Sequence, residues 1–346
     1  MAIQQVRTKI NKEAHILKKY QSGLITTLKT GRPHIDATLT GLLPGDIVVI
    51  GGASGAGKTF ELQTIRENVM DVKVNPDCKD FLFLDYSFEM KLFNVILRGL
   101  HKHLKKSKKD ILLREFSDYE QGLAKRYLET LNDDRYYIEE NPLTPKEFYA
   151  QTRQFLLDNK DKSKIIIAID HIALFKNDVG DKKSTVDAAV EFINLLKREF
   201  DNVYFIILSQ LNRGILGRTA DKDMNAAPNR SDVYQSDTMF HIADYLIIVQ
   251  NPYRLGITHY LRFNPNHFKG LEAFFSEEDG LKAKKRSFDT LGNIFYHILK
   301  IREGEVVFRD IYIEEVESEN LEMYKNEKVD TIDEDFDNLD FGEEKK

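Results

Sequence analysis

Cysteine is nearly missing from this sequence: of 346 residues, only Cys78 carries a thiol. A single cysteine excludes an internal disulfide framework and any zinc site built from several cysteines. It is also the usage expected of a chain that works in a reducing cytosol, so a cytoplasmic location is expected. Long hydrophobic runs are missing too. The longest aliphatic stretches, such as Ile165 to Ile169, fall far short of the ~20 apolar residues that a membrane-spanning helix needs, and no membrane partner is expected. The opening Met1-Ala2-Ile3-Gln4-Gln5 lacks the apolar core of a secretory signal. Strong charge of one sign is lacking as well. Net charge is −6, and Glu327 to Lys346 alone hold nine acids and three lysines, so residues 1–326 are near neutral. Nucleic-acid binding would therefore have to rest on a local patch.

What is present reads as an α/β fold. Short aliphatic strands, Ile47 to Ile50, Phe81 to Leu84, Ile165 to Ile169 and Val203 to Leu208, alternate with helical runs from Lys58, around Met90 to Leu104, and over Val186 to Phe200. Tyr245 to Val249, Ile294 to Leu299 and Val306 to Tyr312 are further strand candidates. Strands of this kind, separated by helices, predict a parallel sheet covered on both faces. Residues 101–160 read as helical throughout, and the run Lys102, Lys105, Lys106, Lys108 and Lys109 reads as a solvated helix face.

The ends and one insert stand apart. Ile3, Val6, Ile10, Leu17 and Tyr20 recur at helical spacing. Two readings are open for this stripe: it packs on its own domain, or it reaches a neighbouring subunit. Residues 253–290 read as a strandless insert with a basic cluster at Lys282, Lys284, Lys285 and Arg286. Residues 316–346 are acidic and are expected to be disordered. Phe336, Leu339 and Phe341 lie within this tail; a solubilising tail and a short docking peptide are its two readings. The expected organisation is a helix at 1–21, one large domain at 22–315 and the tail.

The strongest chemical signal is Gly52-Ala53-Ser54-Gly55-Ala56-Gly57-Lys58-Thr59, which fits G-x-x-x-x-G-K-[ST] between a strand and a helix. Glycines let backbone N–H groups turn inward around phosphate oxygens, and the helix N-terminus adds positive potential. Lys58 suits the β- and γ-phosphates, and the Thr59 hydroxyl suits Mg²⁺. ATP and Mg²⁺ are therefore the expected cofactors. A carboxylate at a buried strand end is the usual second metal holder; Asp170 after Ile165–Ile169 supplies one, although Asp is also a common strand terminator. Glu89 follows the second strand, at the sheet edge where ligands bind, and is a candidate base for the attacking water or simply a surface Glu opening a helix. Gln210, at the end of Val203–Leu208, either senses the γ-phosphate or ends a strand.

In order, these blocks resemble the C-terminal motor domain of DnaB-family replicative helicases, which are RecA-like ATPases. Ile35-Asp36-Ala37-Thr38-Leu39-Thr40-Gly41-Leu42-Leu43-Pro44-Gly45-Asp46 resembles that family's approach to its phosphate loop. Ser87-Phe88-Glu89-Met90, Ile169-Asp170-His171, Ser209-Gln210-Leu211-Asn212-Arg213, Ala243-Asp244 and Lys300-Ile301-Arg302-Glu303-Gly304 resemble its later blocks. The resemblance implies that Glu89 is the catalytic base and that Lys300 and Arg302 reach into a neighbouring subunit's nucleotide site. A finger supplied in trans implies a homo-oligomer, by resemblance a hexamer.

Two departures are visible. The family's N-terminal primase-contacting domain has no counterpart in these residues. The helix at 3–20 stands where the family's linker helix would, so primase and loader contacts are unassigned. The family's DNA loop, roughly D-L-R-E-S-G, is here Asp232-Val233-Tyr234-Gln235-Ser236-Asp237. Tyr234 could stack a base or ribose, Asp237 could repel phosphate, and Arg213, Arg218 and Arg230 could supply the missing positive charge.

The resemblance therefore implies an ATP-dependent 5′–3′ DNA helicase translocating on single-stranded DNA. The alternatives are a RecA-like DNA-binding ATPase that does not unwind, such as a recombinase or loader, and a regulatory ring resembling KaiC.

Overall fold

Aliphatic residues run together between turn signals, and there strands form. The computed structural model describes residues 6–32, 35–36, 41–177, 180–212, 215, 228–234, 236–255, 259–260, 288–289, 293–302 and 310–315. In chain order the elements begin with helix α1 (Val6–Gln21), strand β1 (Ile47–Gly52), α2 (Lys58–Val69), β2 (Phe81–Ser87) and α3 (Leu92–Leu104). Next come α4 (Lys108–Leu113), α5 (Asp118–Leu131), β3 (Tyr136–Glu139), α6 (Pro145–Asp158), β4 (Lys164–Asp170), α7 (Lys182–Glu199) and β5 (Val203–Gln210). The chain continues through α8 (Ser236–Ile242), β6 (Tyr245–Gln250), the two-residue strands β7 (His259–Tyr260) and β8 (Phe288–Asp289), β9 (Asn293–Ile301) and β10 (Asp310–Glu315).

Eight strands form one sheet in the order β10-β9-β6-β1-β5-β4-β2-β3. β3 through β6 in that spatial run are parallel, whereas β9 and β10 are antiparallel to their neighbours. The fold is thus α/β with a mostly parallel sheet. β9 returns beside β6 and β10 pairs with β9, so both antiparallel strands lie at one edge of the sheet.

Both faces of the central strands are covered, which explains their unbroken aliphatic runs. Ile165, Ile167 and Ile169 of β4 face one core with Phe148 and Leu156 of α6 and Val186, Ile193 and Leu196 of α7. Ile166 and Ala168 face the other core with Leu62, Ile65 and Val69 of α2 and with Leu28 and Leu42. These strand side chains are fully buried; an isoleucine buried from water contributes ~2 kcal/mol.

Residues 101–160 are not all helix. β3 pairs parallel with β2, Phe83 opposite Tyr136 and Tyr86 opposite Glu139. Its four residues are too few to set up a visible alternation among the surrounding lysines and glutamates. The flanking helices are separated by caps: Ser117 with Glu120 opens α5, and Thr144 with Glu147 and Pro145 opens α6. Nor is the lysine run simply solvated. Lys102 Nζ pairs with Glu67 at 2.7 Å and Lys106 Nζ with Glu120 at 2.6 Å. Burial alone would raise the Glu67 carboxyl, but His103 and Lys102 outweigh it and hold it at about 2.

The stripe on α1 is not packed on its own domain: Val6, Ile10 and Leu17 are 78%, 54% and 58% exposed. The insert is not strandless, since β7 and β8 pair antiparallel at its two ends. The basic cluster at 282–286 and the tail at 316–346 lie outside the described residues. Of the last strand candidate, Asp310 to Tyr312 lies in β10; residues 303–309 lie outside the described residues.

Candidate active site

Register alone brings four strand ends together. Ser87 of β2 lies opposite Asp170 of β4, β4 neighbours β5, and Gln210 of β5 lies opposite Gly52 of β1. β1 lies between β5 and β6, parallel to both, and in such sheets the crevice at the carboxyl ends is where ligands bind. Into that crevice β1 delivers the glycine loop. Gly55 and Gly57 have φ of 73° and 104°, values that only glycine adopts without strain. These turns curl residues 53–57 over the strand end and start α2 at Lys58.

Lys58 is buried, and its Nζ donates to Gly52 O at 2.9 Å and Ala53 O at 3.0 Å. Burial lowers its pKa, while the charges of Asp170 and Glu89 oppose that shift. Thr59 Oγ1 donates to Asp170 Oδ2 at 2.9 Å. The other oxygen, Asp170 Oδ1, is buried with no hydrogen-bond partner. Burial, with Glu89 and Asp85 adding, pushes this carboxyl up to about 7 against Thr59 and Lys58. A buried carboxylate oxygen lacking a donor, next to a hydroxyl, suits a hard cation such as Mg²⁺. Among the described residues no cluster of three or more His, Cys, Asp or Glu could hold a metal alone. Mg²⁺ held by one carboxylate and substrate phosphates fits that donor set.

Glu89 is presented by a tight turn. Its neighbours Phe88 and Met90 are 7% exposed, with Phe88 against the rings of Tyr86 and Phe175, whereas Glu89 itself is exposed. Ser87 Oγ donates to Met90 O at 2.7 Å, closing the turn, and Glu89 N–H donates to Asp170 O at 3.2 Å. The Glu89 charge acts on Lys58, Asp170 and His171 alike. Gln210 Nε2 lies 3.2 Å from His171 Nε2. Burial lowers His171 to about 4, so it is neutral near pH 7 and its Nε2 accepts from the amide.

Two expected site residues are elsewhere. β9 runs antiparallel to β6, and Ile301 lies opposite Tyr245, which is itself opposite Val48. Arg302 N–H donates to Asp244 O at 2.9 Å, and Asp244 N–H in turn donates to Ile47 O at 2.9 Å. Arg302 therefore sits level with Ile47, about 17 Å along the strands from the Gly52 end. Its side chain pairs with Asp244 Oδ1 at 2.6 Å and donates to His241 O at 3.1 Å. Lys300 Nζ donates to Phe240 O. Within one chain, Lys58, Thr59, Glu89, Asp170 and Gln210 share a crevice, and Lys300 and Arg302 are at the opposite edge of the sheet.

Among the candidate DNA contacts, Arg213 and Arg218 lie outside the described residues. Arg230 Nη2 pairs with Asp237 at 3.0 Å. Tyr234 is half-buried against the α7 core. Asp237, in the first turn of α8, neutralises Arg230.

The family model for the DnaB-like helicase C-terminal domain matches residues 27–275. The chain belongs to the DnaB-like helicase C-terminal domain family. A replicative DNA helicase DnaB from Buchnera aphidicola is 23% identical over 229 residues, which is 65% of this chain and 46% of that protein. Another, from Leifsonia xyli, is 27% identical over 242 residues, 67% of this chain and 48% of that protein. The chain thus spans about half the length of the curated relatives it matches. A solved ATPase domain superposes with a TM-score of 0.66 at 16% identity, covering 92% of this chain and 98% of that one. A solved DnaB-like replicative helicase, described with its interactions with primase, gives 0.62 at 15% identity over 90% and 64%. These likenesses establish a P-loop ATPase fold.

The matched DnaB-like span ends before Lys300 and Arg302 and begins after α1. Three residues had no individual role assigned from the sequence. His171 holds Gln210. Asp85, buried in β2, is raised to about 6 by burial against the pull of Arg66. Asp244 anchors Arg302. A charged residue closing Phe81-Leu82-Phe83-Leu84-Asp85 was the available signal for Asp85; His171 and Asp244 stood inside family-like blocks, but their partners are distant in the chain.

Proposed function

We propose that this chain is the motor of a ring-forming ATP-dependent DNA helicase that moves 5′–3′ on single-stranded DNA in replication. The observation that carries the reading is the separation of Lys58, Thr59, Glu89, Asp170 and Gln210 from Lys300 and Arg302 at opposite edges of one sheet. An edge-to-edge neighbour brings the two sets together; a lone chain does not. The exposed α1 stripe gives that neighbour something apolar to hold.

In this reading the loop N–H groups of residues 53–57 bind the phosphates, and Lys58 leaves its carbonyl partners for the β- and γ-phosphates. Thr59 and Asp170 would hold Mg²⁺, which would neutralise charge on the triphosphate. Glu89 takes the proton of the attacking water. Gln210, steered by His171, reports the γ-phosphate to the segment 229–234 that is bonded to its backbone. The neighbour's Arg302 and Lys300 stabilise charge on the transferring phosphoryl group. Arg230, with Arg213 and Arg218, meets the DNA backbone, and binding weakens steeply with salt.

A forked-DNA unwinding assay tests this. ATP should drive strand separation, and Lys58→Ala and Arg302→Ala should each abolish it. Glu89→Ala subunits mixed with Arg302→Ala subunits should regain some hydrolysis, because one seam in the mixture carries both intact halves. No recovery at any ratio argues against shared sites. The Arg230–Asp237 pair favours a second reading, an ATPase that binds DNA without unwinding it. That reading predicts DNA-stimulated hydrolysis and no strand separation.

A further inference from the structure

Helix α8 joins the two edges of the sheet. Before it, the segment Asn229–Tyr234 is stitched to the end of β5. Tyr234 N–H donates to Gln210 O at 2.9 Å, Asn212 N–H to Asp232 O at 2.6 Å, and Asn212 Nδ2 to Ser231 O at 2.9 Å. At its far end the last carbonyls lack partners within the helix, and they accept from Lys300 and Arg302. A single ring bridges the two groups. The Arg230 guanidinium carbon is 4.0 Å from the Phe240 centroid, and Lys300 Nζ is 4.8 Å from the same centroid. A ring face attracts a cation through its quadrupole. The Arg230–Asp237 pair is exposed, with side chains 47% and 85% accessible, so a competing anion opens it readily.

We propose that Phe240 is a positioning residue that couples capture of a DNA phosphate at Arg230 to the placement of Lys300 and Arg302 at the neighbouring copy's nucleotide. The inference rests on the reading above, in which Arg230 meets DNA and the cation pair acts in trans. A phosphate oxygen replaces Asp237 on Arg230 and draws the guanidinium off the ring. Phe240 then shifts, and its own carbonyl and that of His241 shift with it. Those carbonyls are the rests of Lys300 and Arg302, so the pair moves when DNA is held. Asp237, where the family's loop carries glycine, is the competitor that keeps Arg230 on the ring until DNA arrives.

The test uses the full chain and a single-stranded thymidine oligonucleotide. The ratio of DNA-stimulated to DNA-free ATP turnover is measured for wild type, Phe240→Leu and Phe240→Tyr, with oligonucleotide affinity measured in parallel. Phe240→Leu should lower the ratio at least about fivefold at unchanged oligonucleotide affinity, and Phe240→Tyr should restore it. Arg230→Gln added to Phe240→Leu should lower the ratio no further, since both break one linkage. Should Phe240→Leu melt early, Phe240→Met fills the volume without a π face and carries the same expectation. A wild-type ratio in the folded Leu or Met variant, or losses that simply add, overturns the coupling. Arg302→Ala separates the two failures. If it hydrolyses ATP at the wild-type rate, the in-trans reading is wrong; if it is inactive while Phe240→Leu is stimulated normally, only the coupling is wrong.

Discussion

Thr59 Oγ1 donates to Asp170 Oδ2 at 2.9 Å, tying the first turn of α2 to the end of a strand 111 residues further along the chain. This bond satisfies one carboxylate oxygen and leaves Oδ1 buried with no hydrogen-bond partner. A buried carboxylate oxygen without a donor is costly when it is ionised.

The cost has a pH signature. Burial, then Glu89 and Asp85, push Asp170 up to about 7. A carboxyl whose folded pKa exceeds the ordinary ~3.9 destabilises the fold wherever it is ionised. The penalty is absent below the unfolded value, grows as pH rises, and is complete above about 7. Nucleotide-free Asp170→Asn should therefore be more stable than the parent near pH 8, by ~2 kcal/mol or more, with the gain vanishing near pH 4. Chemical denaturation at the two pH values measures it. Hydrolysis should be lost in the same variant. An equal stability difference at both pH values would mean that Asp170 is not strained by its charge.

Asp244 holds three partners at the other edge of the sheet. Its Oδ2 accepts from Ile47 N–H at 2.9 Å and Lys197 Nζ at 3.3 Å, and its Oδ1 pairs with Arg302 at 2.6 Å. Asp244→Asn keeps an oxygen for Ile47 and loses the counter-charge of Arg302. We expect a modest stability loss of ~1–2 kcal/mol and a fall in kcat with little change in KM for ATP, because the nucleotide pocket is untouched. A rise in KM at constant kcat would place the Asp244 effect in nucleotide binding instead.

The exposed stripe of α1 gives a prediction about assembly. Ile10→Glu with Leu17→Glu changes side chains that are 54% and 58% exposed, so the melting temperature of the single chain should hardly move. If α1 holds a neighbouring copy, the double variant should shift the chain to lower mass by light scattering with ATP present, and turnover should fall with it. Unchanged mass and turnover would remove α1 from the interface.

Much of the crevice was legible because strand ends are legible. Asp170 closes an aliphatic run, Gly52–Thr59 carries its own chemistry, and the Ser87–Met90 turn is local, so each could be read before its neighbours were known. The parallel registers then bring them side by side without further instruction. What was hidden depends on distant partners. β3 is four residues whose only evidence is pairing with Phe83–Tyr86. Phe240 is an ordinary aromatic until Arg230 and Lys300, 70 residues apart in sequence, meet on its ring. The antiparallel return of β9, which moves Arg302 away from Lys58, has no signature in the residues of β9 itself.

The crossing of α3 and α5 gives a prediction free of any functional reading. A Cβ on Gly99 would lie 1.9 Å from the Tyr127 ring and hydroxyl, and Tyr127 is itself 2% exposed. Gly99→Ala would ordinarily strengthen a helix interior by ~1 kcal/mol. Here the methyl group must displace a buried ring that donates to Val95 O at 3.3 Å, and overpacking of that kind costs ~1–3 kcal/mol. Steric cost should win, so Gly99→Ala lowers the denaturation midpoint. Tyr127→Leu is destabilising alone through the cavity it leaves. The pair Gly99→Ala with Tyr127→Leu should be more stable than the sum of the two losses, because the shorter side chain leaves room for the methyl group. Strict additivity in that double-mutant cycle would mean that the two helices approach less closely at Gly99 than the geometry requires.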